Sequence, residues 1–175
     1  MKLVVAITGA SGVQLGKQFI HYLPSDIDVH VVVSDHAITV DSFENKQVTL
    51  YNSDQIEASI SSGSFQVDAT AIIPCSMNTL AKIACGINDN LPTRVAAVAL
   101  KEQKKLLLAP RELPFSAIAL ENMQKLASLG VIIAPPVMGY YSDASSLEEM
   151  ERFIIGKWYD ALGIENTLYK RWSQG

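Results

Sequence analysis

Cysteine is scarce in this chain. Only Cys75 and Cys85 occur among 175 residues, and neither sits in a CxxC pair or a Cys/His cluster, so the spacing of a metal site is missing. So few thiols suit a reducing compartment, and the cytoplasm is the expected location. Histidine is thin as well: His21, His30 and His36 are scattered, and none forms an HExxH pair. No long apolar run is present. The stretch Leu3-Val4-Val5-Ala6-Ile7 stops at Thr8-Gly9, too short for a signal sequence or a membrane span, and it reads as a first strand. Positive charge is not in excess. With 14 basic and 18 acidic residues the net charge is −4, which argues against non-specific binding to nucleic acid or to an anionic membrane. Two signatures of nicotinamide enzymes are missing too. The first turn is Gly9-Ala10-Ser11-Gly12 rather than GxGxxG. None of Tyr22, Tyr51, Tyr140, Tyr141, Tyr159 or Tyr169 has a lysine four positions on, as a short-chain dehydrogenase would want.

What is plentiful is apolar side chain. Apolar residues make up 49 % and charged residues 18 %, enough to fill the core of one domain spanning residues 1–175. A mean hydropathy of +0.18 implies surface buried against other subunits, since monomers need polar exteriors. A homo-oligomer is expected.

Strands and helices alternate along the chain. Unbroken apolar runs at Leu3–Ile7, Val29–Val33, Ala69–Ile73, Leu106–Ala109 and Val131–Ala134 read as buried strands. Helical spacing covers Val13–Leu23, about His36–Phe43, Met77–Ala84 with Ser76 as N-cap, Pro92 to about Lys104, Phe115–Leu129 and about Ser146–Leu162. Met123, Leu126 and Leu129 read as core. Glu44 to Gln66 reads as irregular and contains the hydroxyl-rich loop Ser59-Ile60-Ser61-Ser62-Gly63-Ser64. The alternation predicts an α/β fold, a parallel sheet between layers of helices.

The chemistry-bearing residues gather at predicted strand ends. Pro110-Arg111-Glu112-Leu113-Pro114 follows a strand and sets a cation beside an anion on a proline-restrained turn. Taken alone, such a pair is either an ordinary surface pair or one that suits an anionic ligand and proton chemistry. Gly9-Ala10-Ser11-Gly12 reads as an anion-binding turn, with glycines that let the backbone approach a ligand and a helix start beyond, or as a plain tight strand-to-helix turn. Ser34 and Asp35 tip the second strand. Ser34 would donate to a phosphate or a ribityl chain, and Asp35 would hold an adenine ribose; position alone leaves both open. Ser76, Asn78 and Thr79 place donors at a positive helix end. Cys75 reads as a buried thiol, because no histidine accompanies it. Arg94 and Lys101 fall on one face of one helix. With Arg111 they make either a basic pocket for phosphate dianions or solvated surface charge. Tyr140-Tyr141 follows Gly139 and suits the wall of a planar or apolar ligand.

Taken together these segments resemble the UbiX-type flavin prenyltransferases, of the flavoprotein decarboxylase-like superfamily. The resemblance runs from Thr8 nearly to Trp172. It is carried by Thr8-Gly9-Ala10-Ser11-Gly12, by Ala58 through Phe65, and by Pro74-Cys75-Ser76-Met77. Asn88-Asp89-Asn90-Leu91, Ala99-Leu100-Lys101-Glu102, Pro110-Arg111-Glu112, Leu120-Glu121-Asn122-Met123 and Lys170-Arg171-Trp172 carry it further. The resemblance implies a three-layer flavodoxin/Rossmann-like domain, assembled into dodecamers with the site at subunit junctions. It implies transfer of a dimethylallyl group from dimethylallyl phosphate to N5 and C6 of reduced FMN, without a metal. The prenyl-FMN would serve a UbiD-type decarboxylase, as in ubiquinone biosynthesis.

By resemblance, Gly9, Ala10, Ser11, Ser34, Ser76, Met77, Asn78, Thr79 and Arg111 form the FMN shell. Ser61, Ser62, Gly63, Arg94, Lys101, Tyr141, Lys157 and Trp172 surround the prenyl phosphate. Glu44 and Glu112 match the functional carboxylates, and Arg94 and Lys101 the cations that help the phosphate leave. The chain departs from the family at Lys157, where an arginine is usual, and at Ala97, often an acid. Lysine keeps the charge and loses the bidentate fork. Two other readings share the fold. An FMN-dependent decarboxylase of the cysteine-peptide type wants a histidine near the first helix, and His21 lies late in it. A non-catalytic FMN-binding protein would not need Glu112, Lys101 and Arg94 together.

Overall fold

A computed structural model describes residues 1–9, 12–34, 43 and 46–171. The described residues fall into two compact units, Met1–Pro135 and Pro136–Gly175.

The first unit is built on a parallel sheet. Its strands are β1 (Lys2–Ile7), β2 (Asp28–Val33), β3 (Val48–Asn52), β4 (Ala69–Cys75), β5 (Lys105–Pro110) and β6 (Ile132–Ile133). They lie in the order β3-β2-β1-β4-β5-β6, and every pairing is parallel. The central strands are long apolar runs because helices cover both of their faces. On one face Val4 and Ala6 of β1, Ile72 of β4 and Leu106 and Leu108 of β5 join a single buried cluster. That cluster takes in Leu80 of α2 (Met77–Ala84), Val95 of α3 (Leu91–Lys101) and Leu126 of α4 (Ala117–Ser128). On the other face lies α1 (Val13–His21). Its Gly16 sits so close that a Cβ there would stand 2.4 Å from the Ile73 carbonyl oxygen and 3.0 Å from Ile7 Cγ1. The three-layer α/β fold is as expected.

The helix starts are capped where polar residues precede them. Ser76, Ser116 and Ser146 each accept from a backbone N–H of the first turn. Asn90 and Thr93 form a reciprocal capping box at α3, worth about 1 kcal/mol. Leu91 N–H also donates to the Ser53 carbonyl at 2.7 Å, which ties the start of α3 to the carboxyl end of β3.

Three expectations need correction. Glu44–Gln66 is not wholly irregular: β3 pairs along the edge of β2 from Val48 to Asn52. Two short 3-10 turns, Ser59–Ser61 and Gly63–Phe65, form its hydroxyl-rich loop. Leu129 is not core. It caps the end of α4 and is 62 % exposed, whereas Met123 and Leu126 are buried. The last strand shortens to Ile132–Ile133. The helix expected near His36–Phe43 lies almost wholly outside the described residues.

The second unit, from Pro136 on, holds a 3-10 turn at Tyr140–Ser142 and α5 (Leu147–Leu162), which ends at Gly163 in the left-handed region. Among the described residues no helix is long and apolar enough to cross a membrane.

Candidate active site

Strand order reverses between β1 and β4, and parallel sheets of this kind bind ligands outside the carboxyl ends at that point. Two backbone paths meet there. Thr8 Oγ1 donates to the Pro74 carbonyl at 3.1 Å and accepts from Ser76 N–H at 3.0 Å, locking the ends of β1 and β4 together. Gly9, at φ +88°, lies so near Ser76 that its Cβ would be 3.4 Å from Ser76 Cβ. Ser34, exposed at the tip of β2, hangs from the Ile7 carbonyl through its N–H at 3.4 Å.

The third wall comes from β5. The side chain of Arg111 reaches back to the first turn, where a Cβ on Gly12 would stand 3.2 Å from Arg111 Nε and 3.5 Å from Pro74 Cγ. Gly12 is at φ +93° and is the N-cap of α1. The starts of α1 and α2 therefore both open into one crevice, which presents N–H groups and positive dipole ends to an anion. Ser76 Oγ accepts from Thr79 N–H at 3.2 Å and lies 2.9 Å from Thr79 Oγ1. Thr79 itself is buried, while Met77 is half-buried and Asn78 exposed. Glu112 is exposed beside Arg111, and one of its oxygens accepts from Leu113 N–H at 3.3 Å. Cys75 is buried, and burial pushes its thiol up to about 12. It stays neutral and is no nucleophile.

A second group assembles at the other end of the sheet. Lys101 closes α3, and a helix joining two parallel strands runs against them, so its last turn sits by the amino end of β5. Lys101 Nζ pairs with Glu102 Oε1 at 3.0 Å. The Ser61-Ser62-Gly63 loop meets the same carboxylate, since a Cβ on Gly63 would collide with Glu102 Oε1. Lys2 Nζ, at the amino end of β1, donates to the Phe65 carbonyl at 3.1 Å, which holds that loop at the amino edge. Six residues of extended chain separate Lys105 from Arg111, about 20 Å. In one protomer, then, Lys101 and the serine loop do not meet Arg111. Arg94 is exposed one turn into α3, about 10 Å along the helix from Lys101.

A third group lies in the unit from Pro136. Tyr141 and Lys157 line a cleft of about 670 Å3 together with Phe153, Tyr169, Lys170 and Arg171. Ala10, Ser11, Glu44 and Trp172 lie outside the described residues, as does Asp35. Among the described residues no three His, Cys, Asp or Glu side chains gather as a metal-holding group. The sequence reading missed Thr8 as the clasp between β1 and β4; a hydroxyl at the last position before a glycine turn is its only trace in the sequence.

The relatives decide what such a crevice belongs to. The profile of the family described as Flavoprotein matches residues 1–157. The flavin prenyltransferase UbiX of Helicobacter pylori strain J99 is 48 % identical, over 98 % of this chain and 98 % of its own. The chain belongs to the UbiX-type flavin prenyltransferases. Solved structures of this family superpose closely. The dodecameric FMN-dependent UbiX-like decarboxylase from Escherichia coli O157:H7 matches with a TM-score of 0.93 at 36 % identity, over 99 % of this chain and 100 % of that one. AnUbiX (PadA1), solved with FMN and dimethylallyl pyrophosphate, matches with a TM-score of 0.89 at 34 % identity, over 99 % and 98 % of the two chains. As in these UbiX-type proteins, the sheet is open and flanked by helices.

Proposed function

We propose that this chain joins the dimethylallyl group of dimethylallyl phosphate to N5 and C6 of reduced FMN, releasing phosphate. The observation that carries this is Arg111 laid over Gly12, with Glu112 next to it, at the point where strand order reverses. FMN suits that crevice on its own chemistry. Two glycine-built approaches, two helix starts and one guanidinium match a phosphate with a polar chain attached. Gly9, Ala10, Ser11, Ser34, Ser76, Met77, Asn78, Thr79 and Arg111 would hold it. Reduced FMN supplies the electron-rich ring that takes up the allyl carbon.

The protein's own work is charge and proton placement. Lys101, Arg94, Lys157 and the Tyr141 hydroxyl receive the negative charge that grows on the departing phosphate. These side chains do what a metal ion would otherwise do at a leaving oxygen. Glu112 would give a proton to a phosphate oxygen as the carbon–oxygen bond breaks and N5 takes the allyl carbon. Closing the ring at C6 adds one proton to the allyl double bond and releases the C6 proton, and Glu44 would carry that proton. Ser61, Ser62 and Gly63 cradle the phosphate, and Trp172 helps exclude water from the allyl group.

Because Lys101 and the serine loop lie by the amino end of β5 and Arg111 follows its carboxyl end, about 20 Å away along that strand, a complete site draws these groups from a neighbouring copy. A dodecamer like that of the Escherichia coli relative would provide such neighbours. Leu113, Ile118 and Tyr140, exposed at 92 %, 72 % and 83 %, are the apolar surface such an assembly would cover. The whole of residues 1–175 acts as one functional domain, in the cytoplasm. Its product passes to a UbiD-type decarboxylase, for example in ubiquinone biosynthesis.

Phosphate release tests this. The protein should liberate inorganic phosphate from dimethylallyl phosphate only when reduced FMN is present. Tight FMN binding without phosphate release would instead favour a decarboxylase or a plain FMN carrier of the same fold.

A further inference from the structure

Tyr141 and Lys157 stand in a connected set of rings within the unit from Pro136. Phe153 lies edge-on to Tyr141, with centroids 5.5 Å apart at 87°, and edge-on to Tyr169, 5.3 Å apart at 79°. Lys157 Nζ lies 5.9 Å from the centre of the Tyr169 ring. Two glycines make room for these rings. A Cβ at Gly139 would stand 2.4 Å from Phe153 Cε1, and one at Gly156 would stand 2.4 Å from Tyr169 Cδ1.

One carboxylate anchors the set. Asp160, one turn after Lys157 on α5, accepts from Arg171 through both oxygens, at 2.7 and 3.1 Å. It also accepts from Asn166 Nδ2 at 2.9 Å and from the Tyr169 hydroxyl. Partial burial pushes the Asp160 carboxyl up, but hydrogen bonds from Arg171, Tyr169 and Asn166 outweigh it and hold the group below the usual carboxylate range. Burial, then the hydrogen bond and charge of Asp160, push the Tyr169 phenol up, so at neutral pH it stays protonated and donates.

We propose that Asp160 is a positioning residue for the prenyl phosphate: through Tyr169 and Arg171 it fixes the Phe153–Tyr169 pair that supports Tyr141 and Lys157. This rests on the proposed role of Tyr141 and Lys157 in holding that phosphate. The lysine makes the support matter. A guanidinium would impose its own bidentate geometry, whereas an ammonium on a four-carbon stem takes its position from what lies beneath it, here the Tyr169 face. Pairing with Asp160 also offsets the charge of Arg171, and the other charged groups lining the described cleft are Lys157, Lys170 and the Asp143 carboxylate.

The test uses the intact protein with dimethylallyl phosphate and reduced FMN. Asp160→Asn should raise KM for dimethylallyl phosphate by up to about 10²-fold, the cost of a contact group misplaced by an ångström, and leave KM for FMN unchanged. Tyr169→Phe keeps the ring and loses only the tie, so its rise should be smaller. Tyr169→Leu removes the ring and should match Asp160→Asn. A merely structural role would lower Tm and affect both KM values alike. An unchanged KM for dimethylallyl phosphate in folded Asp160→Asn overturns the proposal. If Asp160→Asn does not fold, the Tyr169 pair decides: equal KM values in Tyr169→Phe, Tyr169→Leu and wild type overturn it. Wild type that makes no prenylated flavin contradicts the proposed activity instead. Calorimetric titration with inorganic phosphate then reads Asp160 directly. Weaker phosphate binding in Asp160→Asn supports positioning, and equal or undetectable binding in both proteins refutes it.

Discussion

Arg111 and Gly12 touch across the strand between them. The guanidinium stem at the end of β5 passes over the end of β4 and rests where a side chain on Gly12 would be, 3.2 Å from Nε to the missing Cβ. Gly12 is therefore constrained twice, by φ +93° and by Arg111. Gly12→Ala should lose about 1–2 kcal/mol of stability from the left-handed backbone and displace Arg111. Thermal melts and flavin-fluorescence titration should show a lower Tm together with weaker FMN binding. Unchanged FMN affinity would remove Arg111 from the flavin shell.

Glu112 stands beside Arg111, exposed to whatever occupies the crevice. Glu112→Gln keeps its size and hydrogen-bonding reach but cannot deliver the proton. FMN should bind as in wild type, and prenyl-FMN formation should fall by ~10²-fold or more. A wild-type rate measured by product formation would strip Glu112 of its role.

The distance between Lys101 and Arg111 in one protomer yields a test that needs no structure of the assembly. Lys101→Ala and Arg111→Ala should each be inactive alone. Co-expressed and mixed into shared oligomers, they should recover part of the wild-type activity, because some junctions then carry both residues intact. Mixed oligomers as inactive as the parents would mean that each site uses Lys101 and Arg111 of one chain.

The cysteines separate by burial. Desolvation disfavours the thiolate of Cys75 and pushes that thiol up to about 12, whereas Cys85 is exposed. At pH 8 Cys75 remains a thiol, since that pH lies far below its folded value. Iodoacetamide should therefore label Cys85 and spare Cys75 in the native protein, as read by peptide mass mapping. Cys75 should become reactive only on unfolding.

Much of the fold was legible because the central strands are buried on both faces and so read as unbroken runs, Leu3–Ile7 and Leu106–Ala109 above all. β3 was not. It is an edge strand with half-exposed residues at Val48, Leu50 and Tyr51, and its alternation merges with the polar loop after it. Leu129 fits the helical period of α4, but a period does not reveal that the helix ends one residue earlier. The crevice residues were legible one by one, since glycine turns, caps and the Arg-Glu pair are local signals. The separation of Lys101 from Arg111 was not read from spacing, although the antiparallel course of a crossover helix implies it. The Asp160–Tyr169–Arg171 tie has no motif at all. It arises only when the chain after Gly163 folds back on α5.

The most direct measurement is the mass of the flavin after anaerobic incubation of the protein with reduced FMN and dimethylallyl phosphate. The flavin should gain one dimethylallyl unit, with phosphate released in equal amount. Recovery of unmodified FMN from fully folded, FMN-loaded protein would contradict the assignment of prenyl transfer to this chain.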